Sequence, residues 1–201
     1  MRHSILGGAA TGFVALVLLL AGCAGTVTNM RELPAGALAP ALEPGKTLVV
    51  FMRPSGLGFA IQSSVFEVRD NHPSLIGIVA AKTKVAYRVE PGKRLFMVVG
   101  ESADFMTAEL EPNKTYYVEV TPRMGLWKAR FSLDPVRKAN LDKAEFKRSV
   151  DECRWVEKTP ASDNWALDNM ASIQSKRTEY YADWMKLPAS DRPHLLGDDG
   201  K

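Results

Sequence analysis

Three near-copies of one tetrapeptide punctuate this chain: Glu43-Pro44-Gly45-Lys46, Glu90-Pro91-Gly92-Lys93 and Glu111-Pro112-Asn113-Lys114. Proline presets φ at the second position of a turn, and glycine or asparagine accepts the positive φ that the third position of a type II turn requires. Each copy leads at once into a strand-like stretch: Thr47 to Met52, Arg94 to Val99 and Thr115 to Val120. The copies are unevenly spaced, so this is one turn chemistry reused between short strands rather than a solenoid repeat.

Between the turns the hydrophobic period is two. Val85, Tyr87 and Val89 alternate with Lys84, Ala86 and Arg88, and Met106, Ala108 and Leu110 alternate with Thr107, Glu109 and Glu111. Tyr116, Val118 and Val120 do the same, as do Trp127, Ala129, Phe131 and Leu133. Strands with one buried and one wet face must read this way. Leu48 to Met52 and Leu95 to Val99 are apolar throughout, which marks strands buried on both faces. Ile61 to Val68 switches phase near Phe66, the sign of a bulge, and Leu75 to Ala80 is a further short strand candidate. About eight short strands at close turn spacing predict a mainly β domain, an antiparallel β-sandwich or open barrel, over residues 44–135.

Beyond Pro135 the period changes. Phe146, Val150 and Cys153 share one face of a stretch from Leu141 to Val156 rich in charges, which predicts an amphipathic helix. A second helix is expected from Thr159-Pro160, where threonine caps and proline occupies the first turn, to about Lys186. Residues 136–187 therefore read as a helical C-terminal appendage of two helices, and residues 188–201 as a disordered tail.

The N-terminus speaks to location. Arg2 and His3 precede an apolar run that ends in Leu20-Ala21-Gly22-Cys23, which resembles the lipobox of bacterial lipoproteins. The resemblance implies a signal peptide over residues 1–22, cleaved before Cys23, with diacylglycerol on the Cys23 sulfur. An uncleaved membrane anchor fits less well, because Gly7, Gly8, Thr11 and Gly12 dilute the run and no basic cluster follows it. Residues 23–43, with Pro34, Pro40, Gly25 and Gly36 and no apolar period, read as a flexible tether. The formal charge of +3 is small and interspersed, which gives no footprint for nucleic acid. With Cys23 committed to lipid, Cys153 has no partner in the chain and reads as a small buried hydrophobe.

Signatures of catalysis are sparse. His72 and His194 are the only histidines past the signal, so no metal-ligand cluster can be drawn, and no cofactor is expected. Ser63 and Ser64 lack nucleophile-elbow glycines. Gly56-Leu57-Gly58 lacks the third glycine of a dinucleotide cradle and reads as a loop. Asp104, Glu109, Glu111 and Glu119 lie on or beside strands, where a facing pair would suit acid–base work and solvated charges opposite Lys84, Arg88, Lys128 and Arg130 would not. Trp165, Tyr180, Tyr181 and Trp184 crowd the second helix, with Arg177 interrupting its apolar face. Their spacing is that of residues packing a helix onto the sandwich, and Trp165, Arg177 and Tyr181 are the candidate contacts if the helix docks a partner.

Phe51-Met52-Arg53-Pro54, the Pro91-Gly92-Lys93 turn before an apolar strand, and Asn113-Lys114-Thr115-Tyr116-Tyr117-Val118 together resemble the DUF2846 family of bacterial lipoproteins. The second of these cues is also similar to the turn of PEGA-type β-sandwich modules. The resemblance spans about Lys46 to Val120 and leaves the C-terminal helices outside. Asn113 stands where the family usually has glycine. The family has no assigned activity, so the resemblance implies a fold and carries over no catalytic residues. The function expected is that of a lipid-anchored envelope protein, on the outer membrane and facing the periplasm. It would be held to the membrane by the acyl chains on Cys23 and serve as a non-enzymatic interaction module for another envelope protein or a polysaccharide. The alternative is a small envelope hydrolase using a strand-borne carboxylate pair, which requires two carboxyl groups about 5–10 Å apart in an open cleft.

Overall fold

The computed structural model describes residues 27–124 and 129–201; Cys23 and the apolar N-terminal run, with Trp127 and Lys128, lie outside the described residues. Its strands are β1 (Met30–Glu32), β2 (Thr47–Arg53), β3 (Ser63–Arg69), β4 (His72–Val79), β5 (Thr83–Val89), β6 (Gly92–Val99), β7 (Ala103–Leu110), β8 (Thr115–Met124) and β9 (Ala129–Pro135). Helix α1 (Ala144–Glu152), β10 (Arg154–Lys158), helix α2 (Pro160–Lys186) and β11 (His194–Leu195) follow. They build a β-sandwich. One sheet has six strands in the order β1-β10-β5-β2-β8-β9, and the other five in the order β11-β7-β6-β3-β4.

The period-two pattern is satisfied between the sheets. Val49 and Phe51 of β2, Val118 and Val120 of β8 and Leu133 of β9 meet Val65, Phe96, Val98 and Met106 of the facing sheet. Phe51 and Phe96 touch edge-on at the centre, with ring centroids 5.1 Å apart. The strands that read as apolar throughout are covered on both faces. Helix α2 lays Ala166, Ile173 and Trp184 on the outer face of the five-stranded sheet, against Phe66, Met97, Val99 and Phe105. Phe146 and Cys153 cover Met52 on the other sheet, and Leu33, Ala37 and Leu42 cover Leu48, Val50 and Trp155. Each such side chain taken out of water contributes about 1.5–3 kcal/mol. The phase switch in β3 is a bulge between Val65 and Phe66.

Most strand pairs are antiparallel, but β2–β8, β5–β10 and β7–β11 run parallel. The parallel β2–β8 pair sets the first and third turn copies side by side. There the Asn113 N–H donates to the Lys46 carbonyl at 2.8 Å, and Asn113 Oδ1 accepts the Gly45 N–H at 2.7 Å. Lys46 also reaches Glu90 of the second copy as an ion pair, so the three turns gather at one end of the sandwich. Gly45 (φ +78°), Asn113 (φ +59°) and Gly92 (φ +115°) all take the positive φ expected of them. Gly92 lies beyond the narrow left-handed well that asparagine tolerates. Gly92→Val is therefore expected to cost about 1–3 kcal/mol from backbone strain alone, since a Cβ there meets nothing closer than 3.8 Å. Gly92→Asn should also lose stability, whereas Gly45→Asn should stay within about 1 kcal/mol, because asparagine enters the left-handed region readily. Urea melts of the three variants check this, and equal midpoints for Gly92→Val and wild type would refute the assignment.

Three expectations at the periphery are corrected. The first helix ends at Glu152, and Cys153 to Lys158 are extended, because Arg154 and Trp155 pair in parallel with Thr83 and Lys84 of β5. The expected tether is partly built into the domain. Met30 to Glu32 pair with Val156 to Lys158, and the Leu33 N–H donates to the Trp155 carbonyl at 2.9 Å. The expected disordered tail is folded as well. Leu195 is fully buried beside β7, and the Lys201 backbone exchanges hydrogen bonds with Thr115 in both directions. The Asp199 carboxylate pairs with Arg137 at 2.7 Å and accepts the backbone N–H groups of Lys138 and Leu196. The second helix starts as expected, in a reciprocal cap between Thr159 and Ser162 with Pro160 in its first turn. Among the described residues, no helix is long and apolar enough to cross a membrane.

Candidate functional site

Where β7 begins, β9 forms a sheet edge and α2 ends, a cleft of about 690 Å³ opens along that edge of the sandwich, beside the helix. Asp104, Arg123, Arg130, Ser132, Asp134, Asp183, Tyr180 and Trp184 line it. Strand periodicity and register explain how they meet. Met106, Ala108 and Leu110 point into the core, so Asp104, two residues earlier, takes the inward position at the mouth of the sandwich. The β8–β9 register sets Arg123 opposite Arg130, Thr121 opposite Ser132 and Glu119 opposite Asp134. All of these side chains therefore fall on one face, opposite to that of Val118, Val120 and Leu133.

The Arg123 guanidinium grips both Asp134 carboxylate oxygens, at 2.9 and 3.0 Å, and its Nε donates to Ser132 Oγ at 2.8 Å. Ser132 Oγ is itself within hydrogen-bond reach of Asp134, at 3.2 Å. Both Arg123 bonds to Asp134 come from the single nitrogen Nη2, so the ion pair is three-centred, and Ser132 holds the other side of the guanidinium. Trp184 forms the opposite wall. It is buried, lies beneath the Arg192 guanidinium at 5.3 Å, and its indole Nε1–H has no hydrogen-bond partner among the described residues.

Burial pushes the Asp104 carboxyl above the ordinary carboxylate range; the N–H of Phe105 draws it back, the Asp134 charge raises it further, and Arg123 lowers it. A carboxyl titrating higher in the folded chain than in the unfolded one binds extra protons when folded. Its stabilising contribution is complete below the unfolded titration and is lost as pH rises through the folded one. Asp104→Asn removes that loss and retains an oxygen for the Phe105 N–H. The variant is expected to gain stability over wild type progressively as pH rises from the ordinary carboxylate range toward neutrality. Chemical denaturation at a series of pH values measures this, and a pH-independent difference would contradict it. A second hollow, of about 440 Å³, lies on the far side of Asp134 and holds Glu119, Lys143 and Glu145. Burial raises the Glu119 carboxyl there, with the charges of Asp134 and Glu145 adding to it.

Of the carboxylates singled out from the sequence, Asp104 enters the cleft and Glu119 the neighbouring hollow. Glu109 is exposed and pairs with Lys93 at 3.7 Å, and Glu111 is exposed and pairs with Lys114 at 2.5 Å. The basic partners differ from those expected. Arg88 pairs with Glu43. Lys84 is buried, donates to the Val150 carbonyl and sits 4.6 Å from the Trp155 ring centroid. Cys153 lies in the same region as a buried thiol, pushed up to about 11 by burial, and so behaves as a small hydrophobe.

The candidate docking residues of α2 are turned inward or engaged. Tyr181 packs edge-on against Phe105 at 5.1 Å and stacks with Trp184 at 5.7 Å. Arg177 lies 5.0 Å over the Tyr181 ring and bonds Asn71 Oδ1, while Trp165 is half-buried against the same cluster. They bind the helix to the sheet rather than form an open face, whereas Trp184 and Tyr180 reach the cleft. Arg123, Ser132, Asp134 and Asp183 were not visible as a site in the sequence. The available signal was the polar phase of β9, in which Ser132 and Asp134 alternate with Phe131 and Leu133. His194 Nδ1 pairs with Thr107 at 2.8 Å. No cluster of three metal-ligating side chains occurs among the described residues.

No family model and no curated protein matches the chain. Among solved structures it is similar to one described as the NMR structure of the protein from Eubacterium rectale, at 8% identity, over 46% of this chain and 88% of that one, with a TM-score of 0.24.

Proposed function

We propose that this is a lipid-anchored envelope protein whose sandwich binds a polar, hydroxyl-rich ligand of the saccharide class in the cleft between β7, β9 and α2. The observation that carries the reading is the make-up of the cleft, where Arg123, Arg130, Ser132, Asp134 and Asp183 stand beside the aromatic side chains of Tyr180 and Trp184. Aromatic walls with a few fixed polar groups are the usual make-up of small-ligand sites. Asp104 and Asp134 both line the cleft, the first requirement of the hydrolase alternative. Asp134, however, already accepts hydrogen bonds at both oxygens from Arg123 and Ser132, which engages the atoms a base or nucleophile would use and favours binding over hydrolysis.

The anchor rests on Leu20-Ala21-Gly22-Cys23. Acylation at about 0.8 kcal/mol per buried methylene holds a protein stably once two or more chains are attached. Cys23→Ala is expected to leave an uncut precursor that takes up no labelled palmitate, and normal processing and labelling of that variant would refute the lipoprotein reading. The cleft is tested by calorimetric titration with soluble envelope-polysaccharide fragments. Arg130→Ala and Asp183→Ala, both at exposed positions, should weaken binding without moving the melting curve. Undiminished binding in both would place the ligand elsewhere.

A further inference from the structure

The loop from Pro54 to Gln62 carries no charge and turns three large apolar side chains outward: Leu57 is 50% exposed, Phe59 53% and Ile61 42%. Such side chains normally mark a contact rather than a free loop when they are grouped and rigidly held. This loop is rigidly held. Arg53, the last residue of β2, is fully buried beneath it. Its guanidinium donates to the carbonyls of Leu57 at 2.7 Å, Gly58 at 2.8 Å and Ile61, and lies 4.9 Å over the Phe131 ring. The Ile61 N–H closes a turn onto the Gly58 carbonyl at 2.9 Å. A cation is thus spent inside the sandwich to fix the backbone of an apolar tip that points into solvent.

The occupant follows from where the chain leaves the fold. Thr28 is locked to the foot of this loop by two hydrogen bonds with Gln62. Its N–H donates to Gln62 Oε1 at 3.1 Å, and its Oγ1 accepts from Gln62 Nε2 at 2.9 Å. Cys23 is five residues before Thr28. At no more than about 3.6 Å per residue, the Cα of Cys23 lies within about 18 Å of that of Thr28 whatever path the intervening chain takes. A tether this short, set against a headgroup layer about 5–8 Å deep on each side of a bilayer, keeps the Thr28–Gln62 corner of the sandwich close to the lipid and the apolar loop within its neighbourhood. We propose that Leu57, Phe59 and Ile61 insert into the interfacial layer of the bilayer that holds Cys23, as a second attachment point that seats the sandwich with its Arg53 end toward the lipid. This rests on the lipoprotein reading and adds an orientation to it.

The test uses the mature, full-length protein in vesicles of phosphatidylethanolamine and phosphatidylglycerol, with acylation of Cys23 verified by mass. A solvatochromic dye is placed on Phe59→Cys and, as a control, on Glu109→Cys at the opposite end of the β6–β7 hairpin; the remaining thiol, Cys153, is buried. The expected result is blue-shifted emission and protection from an aqueous quencher at position 59, with neither at position 109. Equal wetness of the two positions in acylated, vesicle-bound protein overturns the insertion, including the case where position 59 is shielded only in whole cells, which would assign the tip to a protein partner. Absence of the acyl mass on Cys23 is a different failure, that of the lipoprotein reading, and removes the insertion with it.

Discussion

Trp184→Ala is expected to destabilise the protein by about 3–5 kcal/mol, the range for emptying a buried tryptophan site. The ring is 6% exposed, sits 5.9 Å from Phe105 and 5.7 Å from Tyr181, and closes the α2 end of the outer cluster. Helix α2 has little amphipathic contrast of its own, and its attachment depends on the few apolar residues it buries, Ala166, Ile173 and Trp184. Removing the largest of them should loosen the whole helix. Tyr181→Ala should cost about 1–2 kcal/mol, less than a fully buried aromatic, because the ring is only half-buried. Thermal and urea unfolding of both variants supplies the comparison. A Trp184→Ala protein as stable as wild type would show that α2 is not held to the sandwich in this way.

Deletion of residues 194–201 is expected to cost at least about 3 kcal/mol, from the emptied Leu195 site and the broken hydrogen bonds. Leu195 is fully buried and Asp199 is 4% exposed, while the Tyr116 hydroxyl donates to the Gly197 carbonyl at 2.7 Å. Gly200 packs so closely on Tyr116 that a Cβ there would lie 2.8 Å from its ring, so the tail seals one end of the core. Deletion would strip β11 from the sheet edge and remove the Asp199 carboxylate that holds Arg137 and caps the Lys138 N–H. An unchanged urea midpoint after deletion would return the segment to the status of a free tail.

The contrast between that tail and the strands shows what is legible in such a sequence. Tyr116, Val118 and Val120 announce their strand because the pleat alone imposes the period, and the Pro-Gly and Pro-Asn turns announce the positive φ seen at Gly45, Gly92 and Asn113. β11 has two residues and β1 has three; neither is long enough to show a period, and each exists only because a distant strand offers a free edge. The extended stretch after α1 was masked by coincidence. Phe146, Val150 and Cys153 do cluster, but Cys153 joins them from extended backbone after the helix has ended, and no glycine or proline marks the stop. Arg53 and Glu67 read as ordinary strand-end and strand charges. Their burial depends on how the loop after β2 folds its carbonyls back over Arg53 beneath Phe131, and on Tyr87 and Arg94, which reach Glu67 from distant strands. The cleft was half legible: Asp104 stood out as a strand-borne carboxylate, while its partners required the β8–β9 register and the angle at which α2 crosses the sheet.

The most direct measurement of the binding account is a ¹⁵N NMR titration of the indole N–H signals. Trp184→Phe keeps most of the ring volume and removes the donor, so the signal that vanishes in this variant identifies Trp184. On addition of envelope-polysaccharide fragments, that signal is predicted to move as the ligand fills the cleft its ring helps to line, with the backbone signals of Asp104, Ser132 and Asp183 moving alongside it, and Trp184→Phe should bind more weakly while unfolding near the wild-type midpoint. A Trp184 signal that stays fixed while saccharide binds elsewhere, or that no fragment moves at any soluble concentration, would contradict the assignment of the cleft as the binding site.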